Sequence, residues 1–214
     1  MNIHSVALTA IPRKGRTAPP DPVPASKRDA ILRAAIDVFA ERGYFNAQVA
    51  DVARAAGVAA GTVYLYYKNK DHLLVSIFER SMRDGLEAGR SAIADLADPR
   101  ERLRRLARSH LAWLGADRNL AVVFQVELRQ STKFMERFSA TLLRDYLGLI
   151  REAIADGQRA GTFRSDVRPT AAAKMLFGAL DEMATNWILS RRRYSLESEA
   201  DAVVDLFING ARAR

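Results

Sequence analysis

Four side chains between Thr62 and Lys70 could bind a phosphodiester: the hydroxyls of Thr62, Tyr64 and Tyr66 and the ammonium of Lys70. Hydroxyls and cations of this kind contact phosphate oxygens or base edges. They fall in Gln48 to Lys70, QVADVARAAGVAAGTVYLYYKNK, which reads as a short helix, a turn at Gly57-Val58 and a second short helix. Val49, Val52, Ala53 and Val58 are small enough for two helices to cross closely. Gly57 permits a turn that a side chain would resist. Ala59, Ala60 and Gly61 then start the second helix without bulk, so that end can approach a DNA backbone. Gln48 precedes the first helix of the pair, where it can reach a phosphate but caps poorly.

From Ser26 onward the apolar residues recur at helical spacing and no stretch alternates like a half-buried strand, so the expected fold is all-α with about nine helices. Ser26 caps a first helix ending near Gly43, followed by helices over about 49–56 and 60–66. Asn69 caps a long helix running toward Ala97. Asp98-Pro99 with Glu101 predicts a capping box and a restart. Gly115 to Asn119 separates the next pair, and Asn119 begins a buried stretch reaching Gln130. The spacing then predicts helices over 133–160, from Pro169 to about Arg192, and from Ser195 to about Gly210. The first 25 residues hold five of the seven prolines together with Arg13, Lys14 and Arg16, and read as a basic arm. The expected organisation is that arm over 1–25, a DNA-binding domain over 26–71 and a ligand-binding and dimerisation domain over 72–214.

Composition removes several kinds of chemistry. Zero Cys excludes thiol nucleophiles, disulfides and thiolate metal sites, and the three His leave almost no ligand set, so no metal is expected. There is no Gly-x-Ser-x-Gly, His-Glu-x-x-His or Glu-x-x-His pair, which argues against an α-helical enzyme. Apolar runs are too short for a bilayer span and the N-terminus lacks a secretory pattern, so a cytoplasmic protein is expected. The 33 Lys plus Arg against 25 Asp plus Glu, net +8, fit a polyanionic partner, although residue usage alone could also give that excess.

The segment Gly57-Val58-Ala59-Ala60-Gly61-Thr62-Val63-Tyr64-Leu65-Tyr66-Tyr67-Lys68-Asn69-Lys70 resembles, over its whole length, the signature of the TetR family of bacterial transcription regulators. The resemblance implies that Gln48, Ala59, Ala60, Gly61, Thr62, Tyr64, Tyr66 and Lys70 form the operator-contacting surface, and that Tyr67 packs into the small domain. A Tyr where Phe is commoner leaves open whether that hydroxyl is buried.

Further along, His110 lies in a leucine stripe with Leu103, Leu106 and Leu114, as a core histidine or as a ligand contact. Gln125, Glu127 and Arg129 interrupt an apolar helix, either as a structural network or as a pocket mouth. Asp181, Glu182 and Asn186 interrupt another. Asn119-Leu120-Ala121-Val122, Glu127-Leu128-Arg129-Gln130-Ser131, Phe177-Gly178-Ala179-Leu180-Asp181-Glu182 and Tyr194-Ser195-Leu196 resemble the FadR-type branch of that family. The resemblance implies a homodimeric repressor of fatty acid metabolism genes, released from a palindromic double-stranded operator by long-chain acyl-CoA, with no cofactor. Leu106, His110, Phe124, Gln125, Leu128, Arg129, Leu142, Tyr146, Phe177 and Asp181 are the expected ligand-binding residues. Arg104, Arg105, Arg108, Arg129 and Arg191 to Arg193 are candidate cations for CoA phosphates. Leu176, Leu180, Trp187, Val203 and Phe207 are the expected dimer contacts. Another apolar effector, a drug or a free fatty acid, is the main rival, and an enzyme acting on acyl-CoA a distant one.

Overall fold

A computed structural model describes residues 26–127 and 141–212. The N-terminal arm, Leu128, Arg129 and the predicted start of the helix at Lys133 lie outside the described residues. Among the described residues the regular structure is helical, with one antiparallel bridge between Phe163 and Arg212. In chain order the helices are α1 (Lys27–Arg42), α2 (Val49–Ala55), α3 (Ala60–Tyr66), α4 (Lys70–Ile93), α5 (Pro99–Ala116) and α6 (Arg118–Val122). A π-helical turn follows (Val123–Glu127), then α7 (Leu142–Arg159), α8 (Pro169–Leu189), a 3-10 turn (Leu196–Glu199) and α9 (Ala200–Ala211).

Local chemistry sets most of these ends. The Ser26 hydroxyl accepts from the Asp29 amide at 3.2 Å, Asn69 Oδ1 from the His72 amide at 2.8 Å, and Asp98 Oδ1 from the Arg100 amide at 2.9 Å. Each cap satisfies a donor the helix cannot use and contributes about 1 kcal/mol. Gly43 and Gly57 adopt φ of 76° and 67°, where a Cβ would be strained. At Gly57 a Cβ would meet nothing within 4 Å, so backbone conformation, not space, calls for glycine there.

The structure departs from the sequence expectations in several places. The long helix α4 stops at Ile93, before Ala97. Glu101 closes no box with Asp98, because its carboxylate lies 3.6 and 3.7 Å from Arg104 and Arg105. The buried stretch after Asn119 is α-helical only to Val122 and then widens into the π turn. Helix α8 ends at Leu189, short of Arg192, where Arg118 donates to the carbonyls of Trp187 (3.2 Å), Ile188 (2.7 Å) and Ser190 (3.2 Å). A cation from a distant helix thus satisfies carbonyls that a helix end leaves open.

Helix α5 is the central element of the larger domain, packed against α4, α7, α8 and α9. Its Leu103, Leu106, Leu111 and Leu114 are wholly buried, each stabilising the fold by about 1.5–3 kcal/mol. The small domain rests on α4 and α6 through α1. Arg33 pairs with Asp37 and Asp117, and Asn119 Nδ2 donates to Asp37 Oδ1 at 2.8 Å.

Candidate operator surface and effector pocket

Helices α2 and α3 cross on Val52, Ala53 and Val63, all buried, and the Val58 amide donates to the Ala53 carbonyl at 3.0 Å to close the turn. Fixing Val63 inward turns the rest of α3 outward. Tyr64 is 54% exposed, Leu65 82% and Tyr66 38%, while Gln48, Ala59, Ala60 and Gly61 are exposed and Thr62 is half-buried. A Cβ on Gly61 would meet nothing within 4 Å, so this end of α3 is open to a close partner. Tyr67 is buried to 1% and its hydroxyl donates to the Arg28 carbonyl at 3.2 Å, so the hydroxyl has a partner and the ring joins the core. Burial holds its phenol above the usual tyrosine range.

Lys70 does not present its ammonium to the open surface. Nζ donates to the carbonyls of Tyr44 (2.7 Å), Phe45 (3.1 Å) and Ala47 (3.0 Å), and lies 4.5 Å from the centre of the Tyr44 ring. An ammonium has three donors and all three are engaged. The ammonium expected at a phosphate is thus engaged by these carbonyls in this structure, and it ties the α1–α2 turn to the start of α4. Nothing local signals this, since the carbonyls lie 23 to 26 residues upstream.

In the larger domain, His110 is 6% exposed and neither ring nitrogen has a hydrogen-bond partner among the described residues. Its ring centre lies 5.5 Å from Tyr146, 5.6 Å from Phe177 and 6.2 Å from Trp113. Burial pushes its pKa down to about 4, against a smaller opposing pull from the Asp181 carboxylate, so the imidazole is neutral at pH 7. Burial likewise raises the Tyr146 phenol well above the usual tyrosine range. Phe124 joins this aromatic group through Trp113, 5.2 Å away edge-on. Gln125 Nε2 donates to Asp181 Oδ1 at 2.7 Å, and the Thr185 hydroxyl donates to Gln125 Oε1 at 3.1 Å. The π turn therefore carries Gln125 toward α8, and π turns concentrate at functional sites. Glu127, at its end, accepts the Tyr44 amide at 2.7 Å.

The structure thus brings His110, Phe124, Tyr146 and Phe177 together and joins Gln125 to Asp181. Leu106 is buried beside Gly89, Leu142 is half-buried at the start of α7, and Leu128 and Arg129 lie outside the described residues. Neither Trp113 nor Thr185 stands out in the sequence; a Trp three residues after His110 on the same helix is the available signal. Two of the cations expected for phosphate are engaged elsewhere. Arg104 binds Asp205 (2.6 Å), and Arg108 takes Asp201 through two donors (2.8 and 2.5 Å), pairing α5 with α9. Of the expected dimer contacts, Leu176, Leu180 and Trp187 are buried within the protomer. Val203 and Phe207 are half-buried, and the exposed large apolar side chains of the last two helices are Met175, Leu189 and Leu206. Among the described residues no three His, Asp or Glu side chains converge as a metal site, and no helix is long and apolar enough to cross a membrane.

Residues 31–77 match the family model of bacterial regulatory proteins of the tetR family, and residues 78–210 match that of the C-terminal region of YsiA-like proteins. The fatty acid metabolism regulator protein of Bacillus subtilis is 35% identical over 180 residues, covering 84% of this chain and 93% of that protein. The fatty acid degradation regulator FadR of Bacillus halodurans superposes with a TM-score of 0.81 at 39% identity, covering 88% of this chain and 97% of that one. FadR of Bacillus subtilis in complex with stearoyl-CoA superposes with a TM-score of 0.80 at 34% identity, covering 86% and 98%.

Proposed function

Because the chain belongs to the TetR family of bacterial transcription regulators, we propose that it is a cytoplasmic repressor of fatty acid metabolism genes that long-chain acyl-CoA releases from its operator. The DNA-contacting set is Gln48, Ala59, Ala60, Gly61, Thr62, Tyr64 and Tyr66, with Lys70 positioning it. Two copies of α3 joined by a two-fold axis match successive major grooves of a palindromic site. Met175, Leu189 and Leu206, exposed on the last two helices, are available to meet the second copy, with the half-buried Val203 and Phe207. The proposed organisation is a DNA-binding domain to about residue 71, followed by a ligand-binding and dimerisation domain.

The observation that carries the effector reading is His110. A neutral buried imidazole whose two nitrogens have no partner among the described residues costs free energy that a hydrogen-bonding ligand returns. Around it Tyr146, Phe177 and Trp113 offer apolar walls to an acyl chain, whose burial gains about 0.8 kcal/mol per CH₂. A thioester carbonyl can accept from the imidazole N–H while the chain lies along the rings. The relative that superposes with stearoyl-CoA bound supports this choice. An effector that binds better to the form unsuited to the operator lowers DNA affinity, and DNA lowers effector affinity by the same factor.

The test is fluorescence anisotropy on palindromic DNA selected by the protein from a random pool, titrated with palmitoyl-CoA, palmitate and CoA. Release by palmitoyl-CoA alone is expected. Release by palmitate equally well would replace the acyl-CoA reading with a free fatty acid one. Tyr64→Ala is expected to weaken operator binding at least about tenfold, equivalent to 1.4 kcal/mol, with palmitoyl-CoA affinity of the free protein retained.

A further inference from the structure

Between α7 and α8 lies an open groove of about 510 Å³, within the size range of small-molecule sites. Leu143, Leu147 and Phe177 make its walls apolar, and Arg144, Arg151 and Lys174 edge it with three cations. The spacing explains the arrangement: 144, 147, 148 and 151 recur on one face of α7, and 170, 173, 174 and 177 on the facing side of α8. Among the described residues the two guanidiniums pair only with the carboxylates of their sequence neighbours, Asp145 at 3.7 Å and Glu152 at 3.5 Å, without a hydrogen bond. Lys174 has no ionic partner among the described residues. Arg104 and Arg108, by contrast, have their donors engaged by carboxylates of α9. Phe177 belongs to both regions, because the ring that walls the groove lies 5.6 Å from His110.

We infer that this groove seats the phosphorylated head group of an acyl-CoA, with Arg144, Arg151 and Lys174 binding its phosphates and Phe177 separating head group from acyl chain. The inference rests on the acyl-CoA reading above. Charge complementarity selects the occupant: an apolar hollow with three available cations fits an amphiphile whose head is polyanionic, and guanidinium and ammonium donors bind phosphate oxygens with charge-assisted hydrogen bonds. An uncharged drug would leave the cations unused. A free fatty acid offers one charge to three.

The test compares two thioesters on the full-length protein, palmitoyl-CoA and palmitoyl-pantetheine, which shares the chain and thioester but lacks every phosphate. The wild type is expected to prefer palmitoyl-CoA, and the Arg144→Ala/Arg151→Ala/Lys174→Ala variant to lose most of that preference, at least about fivefold, together with its salt dependence. Gly148→Phe provides a second route. A Cβ at Gly148, on the groove wall, meets nothing within 4 Å, so the new ring enters the groove without disturbing the core, and palmitoyl-CoA binding should weaken. A triple variant that keeps the wild-type preference overturns the proposal and places the phosphates elsewhere. Wild-type protein that binds neither thioester overturns the effector reading itself, before any variant is made. Sedimentation that shows either variant monomeric while the wild type is dimeric also overturns it, since a second copy then covers the groove.

Discussion

The backbone N–H of Tyr44, in the turn between α1 and α2, donates to Oε2 of Glu127 at 2.7 Å across 83 residues of sequence. The carbonyl of the same Tyr44 accepts the Lys70 ammonium at 2.7 Å. One residue of the N-terminal domain is therefore held from the π turn through its N–H and from the start of α4 through its C=O. Glu127 ends the π turn that also carries Gln125, itself bound to Asp181 beside His110. A ligand that moves Gln125 has a short covalent route, two residues, to the carboxylate that positions the turn.

Glu127→Ala should therefore reduce the effect of palmitoyl-CoA on operator affinity, by about threefold or more, because the buried amide loses its acceptor and the turn its tether to the pocket. Glu127→Gln, which keeps a carbonyl acceptor, should retain more of the response. Operator affinities measured with and without effector decide this. An unchanged ratio in the alanine variant would mean that coupling travels elsewhere.

Lys70→Ala is expected to act on stability. Hydrogen bonds from a charged donor contribute about 1.5–3 kcal/mol each, partly offset by hydration of the freed carbonyls, so urea denaturation should show a loss of at least about 2 kcal/mol. The salt dependence of operator binding should stay close to that of the wild type. A salt slope lowered by about one phosphate per subunit, with stability intact, would show that the ammonium leaves the carbonyls when DNA is bound.

His110 makes folding pH-dependent with a definite sign. Its pKa is about 4 in the folded protein against 6.5 for the free side chain, so the unfolded chain binds the proton more readily. The stability present above pH 6.5 is then lost as pH falls from 6.5 to about 4, by roughly 3 kcal/mol at most. His110→Phe should flatten that part of the stability profile, and should also weaken palmitoyl-CoA binding if the imidazole meets the thioester. An identical pH profile in the variant would assign the acid sensitivity to other groups.

Gly157 is required by packing. A Cβ there would lie 2.1 Å from Cδ2 of Phe163, whose ring is itself buried in the core. The Phe163 amide donates to the Gly157 carbonyl at 3.1 Å, and the next residue is tied to α9 by Arg164 N–H to the Ala211 carbonyl at 2.9 Å. Gly157→Ala should cost about 1–3 kcal/mol by overpacking, less up to about 1 kcal/mol of improved helix propensity. Thermal unfolding at a temperature equal to or above that of the wild type would contradict it.

The small domain was legible in the sequence because its determinants are local. Ser26 and Asn69 cap within three residues, Gly43 and Gly57 mark left-handed positions, and Val52 and Val63 point inward at helical spacing, so α1 to α3 lie where those residues predict. Tyr64 and Tyr66 follow, since fixing Val63 inward leaves them outside. The candidate pocket was partly legible. The apolar stripe carried His110, and the polar interruptions marked Gln125 and Asp181. That Gln125 and Asp181 bond each other across 56 residues carries no periodic signal.

The sequence by itself determined the all-α class, the family, the helix-turn-helix and its exposed face, because capping, turn conformation and apolar periodicity act over a few residues. The tertiary structure alone decided which polar groups are engaged. Lys70 is held on the carbonyls of the α1–α2 turn, and Arg104 and Arg108 are neutralised by α9. Leu176, Leu180 and Trp187 turn into the protomer's own core. Each outcome depends on a partner brought near only when the helices pack, and the strength of a charge or hydrogen bond depends on such neighbours and on the water they exclude.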